Sequence, residues 1–202
     1  MCGIVGVLGK NEVAPILVES LKRLEYRGYD SAGVATIEHG KLDRRRAVGK
    51  LVELSDVLVR EPLRGRAGIG HTRWATHGEP TLSNAHPHQF GAVSLVHNGI
   101  IENYDSLKKE LIKRGHVFKS ETDTEVLVHL IEDIKEKNDV SLVEAVRIAL
   151  NGVHGAYAIV VISPEEPNKI IAAKKSSPLV IGIGEDEYYL ASDATPIVEY
   201  TK

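Results

Sequence analysis

Apolar positions along the chain switch between two periods, and the switches mark out the elements. Met1-Cys2-Gly3-Ile4-Val5-Gly6-Val7-Leu8-Gly9 is a short apolar run punctuated by glycine, the pattern of a buried strand rather than a loose terminus. Helical spacing takes over at Val13, Ile16, Leu17, Leu21 and Leu24. Asn11 is the expected N-cap, Pro15 falls in the first turn, and the helix is expected to stop near Tyr26. Arg27–Gly33 reads as loop before a strand Val34–Ile37, and His39-Gly40 turns the chain into a second strand, Lys41–Val48. A short helix over Leu51–Leu58 ends before Pro62, and Ala67–His71 is another buried strand.

From Thr72 to Gln89 the periodicity lapses into polar, Gly and Pro residues. A loop of that length inside a domain needs disorder or function to explain it. Strand Ala92–Val96 runs into His97-Asn98-Gly99, a turn signal on a strand end. Leu107 and Leu111 mark a helix face that stops at Gly115. Thr122 and Glu125 have capping-box spacing ahead of the clearest helix, whose apolar face is Val126, Leu127, Leu130, Ile131 and Ile134. Ser141 and Glu144 repeat the signature before Leu142–Leu150. Strands Ala156–Ile162, Lys169–Ala173, Leu179–Ile183 and Tyr188–Ala191 close the chain. Helices grouped between two runs of strands predict an α+β fold of layered sheets covered by helices, not a repeating βαβ unit.

Composition narrows the function classes. A chain of 202 residues suits one compact domain, and 43% hydrophobic with 26% charged residues is ordinary for a soluble globular protein. A net charge of −3 gives no pull toward nucleic acid or an anionic membrane. Arg44-Arg45-Arg46 is too short for a nucleic-acid tract and reads as a solvated strand or loop face. No apolar stretch approaches the roughly 20 residues that span a bilayer, and no basic-then-apolar leader is visible. A single cysteine excludes an internal disulfide framework and fits a reducing compartment, so a cytoplasmic setting is expected.

That cysteine stands at position two. Removal of Met1 would put a thiol and a free α-amine on one residue, with reference pKa values of roughly 8.5 and 7.7–8.0. The pair is a nucleophile with a built-in base. A lone cysteine elsewhere reads as a small buried apolar residue; the position and the following Gly3 favour chemistry. His71, His77, His86, His88 and His97 invite a metal reading, but their spacing matches no compact ligand signature and no second cysteine assists, so no metal is expected. His86-Pro87-His88 reads as loop structure or substrate contact. The flanks of a papain-like cysteine protease are absent. Asn98-Gly99 can offer a side-chain amide and an unhindered backbone N–H to one oxyanion, and is equally a plain turn. Arg73 suits bidentate binding of a carboxylate. Asp123 begins a helix, where the dipole alone favours it. Together they would suit the two charged ends of a free α-amino acid.

Five segments in this order resemble one family. They are Cys2-Gly-Ile-Val-Gly, the run Leu24–Gly33, Gly70-His-Thr-Arg-Trp-Ala-Thr-His-Gly78, His97-Asn-Gly-Ile-Ile-Glu-Asn103 and Ser120-Glu-Thr-Asp-Thr-Glu125. The chain is similar from Cys2 to about Asp193 to the N-terminal glutaminase domains of glutamine–fructose-6-phosphate aminotransferases, amidotransferases with an N-terminal nucleophile. The resemblance implies a four-layer αββα sandwich of the N-terminal-nucleophile hydrolase type, acting on glutamine without a cofactor. It implies that Cys2 attacks the glutamine amide, that its own amine relays the proton, and that Asn98 with the Gly99 N–H forms the oxyanion hole. Arg73 would bind the α-carboxylate and Asp123 the α-ammonium. Thr76 and His77 would lie in the loop closing over glutamine, Trp74 would gate ammonia, and Arg27 would support the nucleophile. It further implies one domain over residues 1–202, a few dozen residues short of the family's usual end. The sugar-isomerase lobes that bind fructose 6-phosphate are absent, and the full-length enzyme would be a homodimer. While Met1 is attached, the nitrogen of Cys2 is an amide and cannot serve as base. The alternatives are a glutaminase domain serving another acceptor, and a non-catalytic glutamine-binding module.

Overall fold

Among residues 2–75 and 78–201, which the computed structural model describes, ten strands form two antiparallel sheets. The six-stranded sheet has β1 (Gly3–Leu8), β2 (Ser31–Glu38), β3 (Lys41–Val48), β4 (Ala67–Arg73), β9 (Val180–Ile183) and β10 (Tyr188–Ala191), in the order β3-β2-β4-β1-β10-β9. The four-stranded sheet runs β5 (His88–Phe90), β6 (Val93–Gly99), β7 (Tyr157–Ile162), β8 (Ile171–Lys175). Helices α1 (Ala14–Lys22) and α2 (Leu51–Arg60) cover the larger sheet; α3 (Tyr104–Lys113), α4 (Asp123–Asn138) and α5 (Leu142–Asn151) lie on the side of the smaller one. The expected α+β arrangement of four αββα layers is therefore present.

Three apolar clusters fill the three spaces between these layers. Leu17, Leu21, Leu24, Leu51 and Leu54 pack on Val5, Val7 and Val34. Ile4, Ile69, Val96, Val160 and Ile162 meet between the sheets. Leu127, Ile131, Leu142 and Val146 pack on Leu95, Ile159 and Val161. Each fully buried leucine or isoleucine contributes about 1.5–3 kcal/mol.

Alternation along the strands assigns each side chain a space. On β7, Ile159 and Val161 face the helices while Ala158, Val160 and Ile162 face the other sheet. On β6 the same count puts Asn98 on the inter-sheet face with Val96 and turns His97 toward α4, where its Nδ1 lies 3.0 Å from Thr124 Oγ1. On β4 it puts His71 and Arg73 on the face of Ile69, and on β1 it puts Cys2 on the face of Ile4. The residues singled out for chemistry thus converge by strand parity.

Several boundaries differ from expectation. Helix α1 is capped by Val13 without a side-chain bond, not by Asn11, because Val13 is itself buried and its carbonyl accepts the Leu17 N–H. It ends at Lys22, and a 3-10 turn over Glu25–Arg27 follows, so the stop near Tyr26 belongs to that turn. Ser31-Ala32-Gly33, expected as loop, is strand: it pairs with Arg73-Thr72-His71 on one side and Val48-Ala47-Arg46 on the other. Strand β4 continues to Arg73 and β5 begins at His88, which shortens the expected Thr72–Gln89 loop. Asn98 and Gly99 are the last residues of β6 rather than a turn.

The arginine triplet is not a solvated face. Arg44 donates to Pro87 O at 3.1 Å and Arg46 to Ala85 O at 3.0 Å, strapping the loop that leads into β5. Burial pushes Arg46 down to about 10. Gly33 lets that loop approach, since a Cβ there would lie 2.0 Å from His86 O.

The capping box at α4 is half formed. Thr122 Oγ1 accepts the Glu125 N–H at 3.3 Å, but the Glu125 carboxylate accepts from Lys119 N at 2.9 Å and Ser120 N at 2.7 Å instead of returning to its cap. Burial opposes the charge, yet His129 and these backbone donors win and hold Glu125 at about 2. A carboxyl depressed in the folded state adds stability above its unfolded pKa and loses it as pH falls through the folded one. Glu125→Gln is therefore expected to lower stability at pH 7 by more than at pH 2, measured by urea unfolding; an equal loss at both would contradict this.

Candidate active site

Cys2 immediately precedes β1, an interior strand of the six-stranded sheet. β1 lies between β4 and β10, so the residue ahead of it falls beside the last residues of β4 and the segment after it. The Cys2 thiol is partly buried, and Trp74 N–H donates to Sγ at 3.2 Å. Burial pushes the thiol up from its ordinary value, while the Trp74 N–H and the Arg73 charge pull the other way and the Asp30 carboxylate adds to the rise.

A cavity of roughly 390 Å³ opens beside Cys2, within the roughly 300–1,000 Å³ usual for small-molecule sites. Cys2, Arg27, Arg73, Trp74, Asn98, Gly99 and Asp123 all line it. The structure therefore brings together every expected site residue among those it describes. Thr76 and His77 lie outside the described residues, as does Met1.

Each wall has its own cause. Arg73, only 3% exposed, donates from Nη1 to Glu79 O at 3.1 Å and from Nη2 to Gly78 O at 3.3 Å, so the guanidinium is tied to the loop as well as facing the cavity. Asp123 is the first residue of α4 and is buried, with Oδ2 accepting the Ile101 N–H at 2.8 Å. The bond fixes the carboxylate at the cavity rim, where the helix dipole also favours its charge. Gly99 has φ of 118°, and a Cβ there would fall 2.2 Å from Ala156 O, so only glycine permits this approach of β6 to β7.

Asn98 is hydrogen-bonded at both ends of its amide. Nδ2 donates to Cys2 O at 3.1 Å, and Oδ1 lies 3.1 Å from His71 Nε2. Trp74, half exposed at 52%, leaves its ring against Gly28. Arg27 Nη1 donates to Ser192 Oγ at 2.8 Å, and that hydroxyl accepts the Ile4 N–H at 3.0 Å, which joins Arg27 to the strand carrying Cys2.

Three contributions escaped the sequence reading. Ser192 is one, and the contact of His71 with Asn98 is another, His71 having been weighed only among the histidines. Asp30 is the third: its Oδ2 accepts the Ala75 N–H at 2.6 Å and its own N–H donates to Arg73 O, also at 2.6 Å, holding the chain on either side of Trp74. Asp30 and His71 fall inside the family segments already quoted, but their partners are 45 and 27 positions away, beyond any local pattern. Ser192 falls outside those segments. His86 stacks on His71 with centroids 3.9 Å apart and lines the cavity, while His88 is the first residue of β5 rather than loop.

A family profile described as a glutamine amidotransferase domain matches residues 73–199. The chain belongs to the glutamine amidotransferase domain family. Over its whole length this amidotransferase domain is 60% identical to part of a glutamine–fructose-6-phosphate aminotransferase (isomerizing) from Bacteroides thetaiotaomicron, and 55% identical to part of one from Clostridium tetani. It spans about a third of those proteins, 33% in each case. Among solved structures it superposes on the glutamine phosphoribosylpyrophosphate amidotransferase of B. subtilis with a TM-score of 0.83 at 29% identity, covering 97% of this chain and 43% of that one. A structure described as the allosteric regulatory enzyme of purine biosynthesis gives 0.85 at 32%, with the same coverage. The amidotransferase domain therefore has the N-terminal-nucleophile fold. No helix among its described residues is long and apolar enough to cross a membrane.

The Asp30 contact gives a test of the electrostatics. Asp30→Asn keeps an oxygen for the Ala75 N–H but removes the negative charge, so the thiolate of Cys2 becomes easier to form. The pH profile of Cys2 alkylation by iodoacetamide is expected to move to lower pH; an unmoved or raised profile would count against the contact.

Proposed function

We propose that this domain hydrolyses glutamine to glutamate and ammonia through a thioester on Cys2. The observation that carries the reading is the shared cavity: one thiol, one carboxamide bonded to the same residue's carbonyl, the Arg73 and Arg27 guanidiniums and one carboxylate line the same space. With Met1 removed, the Cys2 amine takes the thiol proton as Sγ attacks the side-chain amide carbon. Negative charge then develops on the amide oxygen, where the Asn98 Nδ2–H and the Gly99 N–H stabilise it. The protonated amine gives its proton to the departing nitrogen, which leaves as ammonia. Water then attacks the glutamyl thioester, releasing glutamate and restoring the thiol.

Arg73 holds the glutamine α-carboxylate and Asp123 the α-ammonium, a pairing that selects a free amino acid over a peptide-bound glutamine. Thr76 and His77 take part in binding glutamine, and Trp74, adjoining Cys2, gates ammonia. Arg27 supports the nucleophile through Ser192 and β1. The ammonia acceptor is fructose 6-phosphate, bound by segments outside this chain; the 60% identity to an aminotransferase named for that sugar favours it over the acceptor of the phosphoribosylpyrophosphate enzyme at 29%. The setting is cytoplasmic, in a hexosamine-forming pathway, and the full-length enzyme is a homodimer.

Glutamate release by the Met-processed protein tests the reading. Release is expected from the wild type, with a loss of at least about 10³-fold in Cys2→Ala, on the scale of removing a covalent nucleophile. Undiminished release from Cys2→Ala would overturn the thiol mechanism. Asp123→Ala is expected to raise KM more than it lowers kcat, and an unchanged KM would remove Asp123 from the ammonium site.

A further inference from the structure

His71 is the buried group beside the nucleophile that the proposed chemistry leaves unused. Its side chain is fully buried on the inter-sheet face of β4, two residues ahead of Arg73. Nε2 lies 3.0 Å from His97 O and 3.1 Å from Asn98 Oδ1. The His97 carbonyl only accepts hydrogen bonds, so Nε2 must carry the proton and Nδ1 the lone pair, whichever way the Asn98 amide lies. Among the described residues Nδ1 has no partner, and the ring face is stacked on His86. Burial is the main force holding the ring neutral, down to about 3. With its lone pair turned from the Asn98 side and buried, His71 is poorly placed to take the proton of Cys2.

An asparagine side chain has two near-isosteric orientations, and only one serves an oxyanion hole. With Nδ2 toward Cys2 the amide presents N–H donors to the developing charge; flipped, it presents a carbonyl oxygen and repels it. The orientation is set at both ends: the Cys2 carbonyl accepts from Nδ2, and the His71 Nε2–H faces Oδ1, where a flipped amide would oppose two donors. We propose that His71 is a positioning residue for glutamine hydrolysis: its neutral Nε2–H tautomer sets the Asn98 amide with Nδ2 toward the nucleophile. The assignment rests on the glutaminase reading above. This single donor also ties β4 to β6 at one point, because the same Nε2–H reaches the His97 carbonyl and the Asn98 side chain. A lost contact therefore tilts the amide without removing it.

The test compares His71→Leu with His71→Gln in the Met-processed protein. His71→Leu keeps an apolar side chain on His86 but offers no donor; the Gln amide N–H reaches the same region. Glutamate release by His71→Leu is expected to fall in kcat by roughly 10-fold to 100-fold, less than the roughly 10²–10³-fold lost when an oxyanion donor is deleted. KM should change little, and the shape of the pH profile should not change, since His71 does not titrate in the reaction. His71→Gln should recover most of the rate. Alkylation of Cys2 by iodoacetamide, a displacement that forms no oxyanion, should proceed in His71→Leu at the wild-type rate. In an Asn98→Ala background, His71→Leu should add little further loss.

A His71→Leu variant with wild-type kcat, a His71→Gln variant as slow as His71→Leu, or full additivity with Asn98→Ala would each overturn the assignment. Parallel loss of alkylation and glutamate release in a folded His71→Leu would also overturn it, as damage to the nucleophile. Wild-type protein releasing no glutamate would overturn the glutaminase reading and this one with it. If His71→Leu does not fold, nitrogen-15 NMR of the wild-type ring decides. The proton must sit on Nε2, with Nδ1 bare, throughout the active pH range; a proton on Nδ1 refutes the proposal.

Discussion

The Asn98 carboxamide ties together three strands from two sheets. It donates to the carbonyl of Cys2, which leads into β1, and its oxygen faces His71 on β4, while its own backbone ends β6. β1 and β4 are neighbours in one sheet and β6 belongs to the other, so this one amide fixes the register of the sheets where the thiol enters. Asn98 is half-buried, so leaving its amide unpaired costs at most about 1–3 kcal/mol, which penalises any sliding of the sheets that would separate these groups. The inter-sheet apolar cluster of Ile4, Ile69, Val96 and Val160 supplies the adhesion, and Asn98 supplies the alignment.

Everything around the cavity is arranged to hold that alignment from outside. Arg44, Arg46 and Arg73 each donate to carbonyls of the loop between β4 and β5. Asn84 extends the strap by accepting the Glu121 N–H at 2.8 Å, just ahead of α4. The same loop delivers His86 onto His71. Glu125 anchors the turn before Asp123, and Ser192 joins Arg27 to β1. These contacts place charged side chains at low exposure, where their hydrogen bonds are stronger and their loss more costly than at a surface.

Much of this was legible in the sequence because it is local. The order of helices and strands follows from apolar periodicity, and the Thr122 and Ser141 caps follow from spacing and are both present. Strand parity would even have predicted that Cys2, His71, Arg73 and Asn98 share a face, had β4 been extended past His71. Thr72-Arg73-Trp74 has no apolar alternation, so periodicity ends the strand at His71. The same weakness hid Ser31-Ala32-Gly33, a strand made of small residues whose pairing on both sides overrides its loop-like composition. Asn11 failed as a cap because the burial of Val13, a tertiary effect, sets where α1 begins. The Arg44 and Arg46 straps and the His71–Asn98 contact depend on partners tens of residues away, so no window of sequence contains them.

The proposed hydrolysis requires a covalent bond between Cys2 and the glutamyl group of glutamine inside this cavity. The direct measurement is mass spectrometry of the Cys2 peptide after acid quench of the Met-processed protein during turnover of glutamine. A single glutamyl group is expected on Cys2, present with glutamine and absent without it. Steady release of glutamate with no glutamyl group on Cys2, or with the group on another side chain, would contradict it.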